Sequence, residues 1–86
     1  MITASELKTK EIEFKNKERE KHLAWGREQL AELEPELIKM AERGHNVYFT
    51  TYKRIDTQYL NALVDVIEKE TGCVVYRKNR TIYISW

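Results

Sequence analysis

A single cysteine among 86 residues cannot close an internal disulfide, and with no second thiol or histidine cluster beside it the chain offers no tetrahedral zinc set. A reducing cytoplasm is the expected compartment, and neither a metal nor a cofactor is expected. Glycine and proline are scarce, at three and one. The chain therefore has no glycine-rich loop to cradle phosphates and no nucleophile elbow. Long hydrophobic runs are missing too. The longest stretch without a charge, Gly44 to Tyr52, is short and polar, and no basic segment leading into an apolar one opens the chain. Neither a membrane span nor a signal peptide is expected. Charge of one sign is also lacking, since fifteen Lys and Arg face fourteen Asp and Glu for a formal net charge of +1. That balance excludes a uniformly basic nucleic-acid coat and an acidic mimic of DNA, so any charge-driven binding is local.

What remains is enough for one small domain, residues 1–86, whose character changes at Gly44. Residues 1–44 are charge-dense, with nine cations against ten carboxylates, and residues 45–86 hold most of the β-branched residues and tyrosines, with six against four. Thr3 followed by Glu6 has the form of a capping box and marks a helix start. From Lys8 to His22 the only apolar residues are Ile12 and Phe14, while Glu11 with Lys15 and Glu13 with Lys17 make i,i+4 pairs, so this part of the helix stays wet. Downstream, Leu23, Leu30 and Leu37 fall seven apart with Leu33 and Met40 interleaved, an apolar seam. The same register upstream passes through Thr9, Ile12, Asn16 and Arg19, which is too polar for a long coiled coil. Pro35 lacks the amide a helix interior needs, so the spacing predicts a long helix that breaks there and a short second helix ending at Gly44.

Residues 45–86 read as a β-α-β-β core. Asn46 to Tyr52 alternates with strand-forming residues on both parities. Asp56 offers an N-cap, and Leu60, Leu63, Val64 and Ile67 follow at helical spacing up to Gly72. Cys73 to Arg77 and Arg80 to Trp86 form a hairpin if Lys78 and Asn79 make the turn. The expected class is α+β: a long N-terminal helix, a short second one, then a three-stranded sheet with helices packed on it.

Two surfaces of this scheme carry candidate function. With Val47, Phe49, Val75, Ile82 and Ile84 assigned to the core, Tyr48, Tyr52, Tyr76 and Tyr83 share the opposite sheet face, where unpaired bases could stack on them. The leucine seam needs an apolar surface to sit on, and this face is the expected one. The stacking platform holds only if the helices dock elsewhere. If the first two strands run parallel, their C-terminal ends bring Lys53 and Arg54 towards Arg77, Lys78 and Arg80, beside the N-terminus of the Asp56 helix. That edge suits phosphate, although five exposed charges at a sheet end equally serve solubility.

No catalytic residues are assigned. His22 and His45 have no carboxylate or hydroxyl at relay spacing and are expected to be surface or capping residues. Cys73 opens a core-facing strand, and Asp65 with Glu68 is too small a set for a cation. A helix of about 28 residues reaches roughly 42 Å, longer than a domain of this size covers, so part of it should project as an arm. Phe14 and Trp25 lie off the leucine seam and are the candidates for contact with a partner chain or a second copy. The sequence supports a non-enzymatic regulatory protein that docks on another macromolecule as a homodimer, in the manner of small phage- or bacterium-encoded modulators and inhibitors. The alternative is nucleic-acid binding through the basic sheet end and the tyrosine face.

Overall fold

A computed structural model describes all 86 residues, in the order α1 (Ala4–Glu42), β1 (Val47–Thr51), α2 (Thr57–Thr71), β2 (Val74–Lys78) and β3 (Thr81–Ser85). The fold is α+β, as the sequence implies. Thr3 caps α1, its hydroxyl accepting from the Glu6 amide at 3.2 Å. Gly72 closes α2 in the left-handed conformation, with φ of 73°. At 39 residues α1 is about 58 Å long and accounts for the 64 Å length of a molecule only 23 by 18 Å across. No helix is long and apolar enough to cross a membrane.

The predicted break at Pro35 does not occur, because α1 runs through it to Glu42. Pro35 and Ala31, whose carbonyl loses its amide partner, both face solvent, where water can replace the missing bond. A break would also detach Leu37, which packs on the core one turn beyond the buried Leu33. Burying one leucine is worth about 1.5–3 kcal/mol, comparable with the proline penalty of about 3 kcal/mol. The short second helix is therefore the last part of α1.

The sheet has the order β1-β3-β2, with β3 antiparallel to both neighbours. Strands β1 and β2 thus run parallel with β3 inserted between them, and their C-terminal ends lie at the same end of the sheet. The hairpin turns on Asn79 and Arg80, not on Lys78 and Asn79, since Lys78 pairs with Thr81. Asn79 is the one non-glycine residue at positive φ, 56°. A turn on Lys78 and Asn79 would put Lys78 first, where a lysine is strained and an asparagine is tolerated. Both strands slide by one residue, so their inner and outer faces stay as expected.

Both helices cover one face of the sheet. The core consists of Leu30 and Leu33 from α1, Leu60, Leu63, Val66 and Ile67 from α2, and Ile82 and Ile84 from β3. Where α1 crosses α2, Gly26 is buried, and a Cβ there would stand 3.1 Å from Val66 Cγ2 and 3.4 Å from both Ala62 O and Leu63 Cα. Gly26 lets the two backbones meet.

Candidate functional site

The face of the sheet turned away from the helices is open, and it carries three rows of cross-strand neighbours. Val47, Ser85 and Val74 form the first, Phe49, Tyr83 and Tyr76 the second, and Thr51, Thr81 and Lys78 the third. In the middle row the ring centroids of Phe49 and Tyr83 are 5.9 Å apart, and those of Tyr83 and Tyr76 6.0 Å, with interplanar angles of 35° and 36°. Phe49, Tyr83 and Tyr76 are 63%, 37% and 61% exposed. In the third row the Thr51 and Thr81 hydroxyls are 2.9 Å apart and pin β1 to β3. The leucine seam, expected to cover the tyrosine face, leaves Tyr76 and Tyr83 open and packs instead on α2 and the inner face.

Of the four tyrosines expected on this face, Tyr76 and Tyr83 are there, while Tyr48 and Tyr52 point the other way. Tyr48 lies opposite the fully buried Ile84, which fixes it on the core side and sends Val47 and Phe49, expected inside, to the outer face. Residues 47–52 are apolar or aromatic on both parities, so their alternation could not choose a face. Phe49 is the functional candidate that the sequence reading missed.

Tyr48 and Tyr52 both pack against the core, Tyr52 within an aromatic group that joins α1 to α2. The Tyr52 hydroxyl donates to Gln29 Oε1 at 3.2 Å, and its ring stands 5.5 Å from that of Trp25. Trp25 also meets Tyr59 edge-on at 5.4 Å. This tryptophan, a candidate for partner contact, is thus engaged within its own fold. His22, expected to be a surface or capping residue, is only 12% exposed; its ring lies 4.4 Å from Tyr59 and its Nε2 3.8 Å from Glu18. Phe14 remains exposed on the arm at 64%.

Burial pushes the Tyr52 hydroxyl up to about 12, with the charges of Glu32 and Tyr48 adding to the effect. The unfolded chain ionises this group near pH 10, so above that value it releases a proton that the folded protein keeps. The stabilisation is whole below pH 10 and is lost as pH rises from about 10 to about 12. Denaturation in urea at about pH 9 and about pH 11 should therefore show a smaller alkaline loss for Tyr52→Phe than for the parent protein. Equal losses would mean that Tyr52 is not covered.

The basic end assembles as its parallel flanking strands require. The Arg80 guanidinium donates to the carbonyl of Lys53, and the Tyr52 amide bonds to the Arg80 carbonyl at 2.9 Å, so the exit of β1 and the start of β3 are tied together. Arg77 shares the inner parity of Ile82; it donates from Nε to Asn61 Oδ1 at 3.0 Å and from Nη1 to the Asn79 carbonyl at 2.6 Å. Arg77 is therefore turned towards α2, whereas Lys78 lies on the outer face and Lys53, Arg54 and Arg80 on the exposed rim. Asp56 occupies the N-cap of α2 without a side-chain capping bond. None of the five cations is in an ion pair; the chain's ion pairs all lie within α1 or between α1 and α2.

Charge is divided between the layers. All fourteen Asp and Glu residues lie in the two helices or at the Asp56 cap, alongside nine cations and a tenth, Arg43, at the C-cap of α1. The strands and the loops at their ends, residues 45–55 and 73–86, hold the other five cations and no Asp or Glu. A near-neutral molecule therefore has an acidic helical side and a positive sheet side. No family model matches the chain, and comparison with curated proteins and with solved structures returns no match.

Proposed function

We propose that this chain is a non-enzymatic binding module that presents the outer face of its sheet to another macromolecule. The observation that carries this reading is the ring row Phe49, Tyr83 and Tyr76, exposed on a sheet whose opposite face is filled by both helices. A row of aromatic rings flanked by Val47 and Val74 is a large apolar area to leave in water on a chain this small, and such patches mark contact surfaces. Tyrosine and phenylalanine supply contact area at low entropic cost, and the antiparallel ladder holds them in place before a partner arrives. The surface of binding is thus the sheet, while Trp25 serves the fold.

A photo-crosslinking side chain placed at Phe49, with a second variant at Glu28 on the exposed side of α1, tests this in the cells that make the protein. The Phe49 variant is expected to give a discrete adduct and the Glu28 variant none. Adducts from Glu28 alone would move the binding surface to the helices. Protease and nuclease digestion of the adduct then identifies the class of partner.

A further inference from the structure

We infer that the partner of the outer face is a single-stranded nucleic acid, its bases stacked on Phe49, Tyr83 and Tyr76 and its phosphates held by Lys78 and the rim of Lys53, Arg54 and Arg80. This rests on the reading of that face as the docking surface and adds the chemistry of the occupant. The ring row spans all three strands at steps of 5.9 and 6.0 Å, a continuous platform for successive unpaired bases. Next to it, Thr51 and Thr81 offer hydroxyls that can donate or accept, and Lys78 closes the same row. Beyond that row lies the rim, where Arg80 is fixed by the Lys53 carbonyl and where Lys53 and Arg54 have no carboxylate partner. Aromatic faces with cations at one end match a strand that has bases on one side and phosphates on the other.

The division of charge selects among occupants. Four of the sheet layer's five cations, Lys53, Arg54, Lys78 and Arg80, lie on the outer face or its rim, and the layer has no Asp or Glu, so two copies pressed face to face would bring eight cations together with no acidic side chain between them. A polyanion meets the same surface with complementary charge. A duplex is disfavoured because its bases are already stacked and paired, leaving the rings nothing to hold. Among polyanions, only one with flat apolar groups uses both the rings and the rim.

Fluorescence anisotropy with labelled oligothymidine and oligouridine of about 15 nucleotides, a duplex of equal length, and heparin as a competitor without bases tests the inference. Both single strands should bind more tightly than the duplex. Phe49→Ala, Tyr76→Ala and Tyr83→Ala should each weaken that binding at least about fivefold while circular dichroism shows an intact fold. Changing Lys53, Arg54 and Lys78 together to Gln should lower the salt slope by about 2, near 0.7 for each phosphate left without its cation. Absence of binding at low salt, equal affinity for duplex, or indifference to the ring variants would each overturn the inference. A nuclease-resistant, protease-sensitive adduct from the Phe49 crosslinker would overturn it too while leaving the outer face as a docking surface. Lack of any adduct at Phe49 would remove the broader reading as well.

Discussion

Replacing Gly26 with leucine should cost about 3 kcal/mol or more, a large share of the stability of an 86-residue domain. The first atom added would already stand 3.1 Å from Val66 Cγ2 and 3.4 Å from the Ala62 carbonyl and Leu63 Cα. A flexible methyl can give way by a few tenths of an ångström, but the backbone of α2 cannot, and the rest of a leucine side chain must go where that backbone lies. The helices would have to separate, taking Leu30 and Leu33 away from Leu63, Val66 and Ile67. Alanine at the same position isolates the effect of size, because its gain of about 1 kcal/mol in helix propensity opposes a single tight contact. Thermal unfolding of the two variants decides the matter: leucine should lower Tm by roughly 12–24 °C while alanine stays near the parent. A leucine variant with unchanged Tm would mean that α1 and α2 do not meet at Gly26.

Ile84→Ala should destabilise the protein by about 2–5 kcal/mol, whereas Tyr83→Ala, one residue away on the same strand, should cost less than about 1 kcal/mol. Ile84 is wholly buried in the central strand, flanked by Tyr48 and Val75, and shares its core cluster with residues of both helices. Its loss leaves a cavity that a close-packed core cannot fill. Tyr83 faces outward between Phe49 and Tyr76, and its removal gives up only part of two ring contacts. Urea denaturation of both variants at two protein concentrations tests whether the sheet is open on that side in solution. A loss of several kcal/mol at Tyr83 that shrinks on dilution would show that a second copy covers the rings.

Much of the architecture is written in local signals that tertiary contacts leave alone. Thr3 opens α1, Gly44 follows its end, Gly72 ends α2, and the seam through Leu23, Leu30, Leu33 and Leu37 faces the core. The hairpin faces were also legible, since Val75, Ile82 and Ile84 alternate with Tyr76, Thr81 and Tyr83. Three features were not. Pro35 announces a break that solvent exposure and the pull of Leu37 on the core override. Residues 47–52 are apolar or aromatic on both sides, so only pairing with Ile82 and Ile84 places Tyr48 and Thr50 inside and Phe49 outside. Gly26 occupies a seam position where a sequence offers no sign of a second backbone approaching.

The candidate site was half visible for a related reason. Tyr76, Tyr83 and the five cations could be named from the sequence, yet a count of charge on either side of Gly44 conceals how the charge is divided. The second segment includes α2, whose acids offset the cations of the sheet. The layers separate in space what the chain order mixes.

The arm gives α1 two different lives. From Ala4 to Lys17 every side chain is exposed, and its ion pairs, such as those of Glu11 with Lys8 and Lys15, are of the surface kind that contribute little. From Leu23 onwards the same helix is clamped by the core. Amide protection against hydrogen exchange therefore rises along one unbroken hydrogen-bond ladder, from values near those of a fraying peptide to those set by global unfolding. The exposed stretch Ala4–Lys17 should therefore open without loosening the domain, so the arm can be ordered, clipped or remodelled at almost no expense to the sheet it extends from.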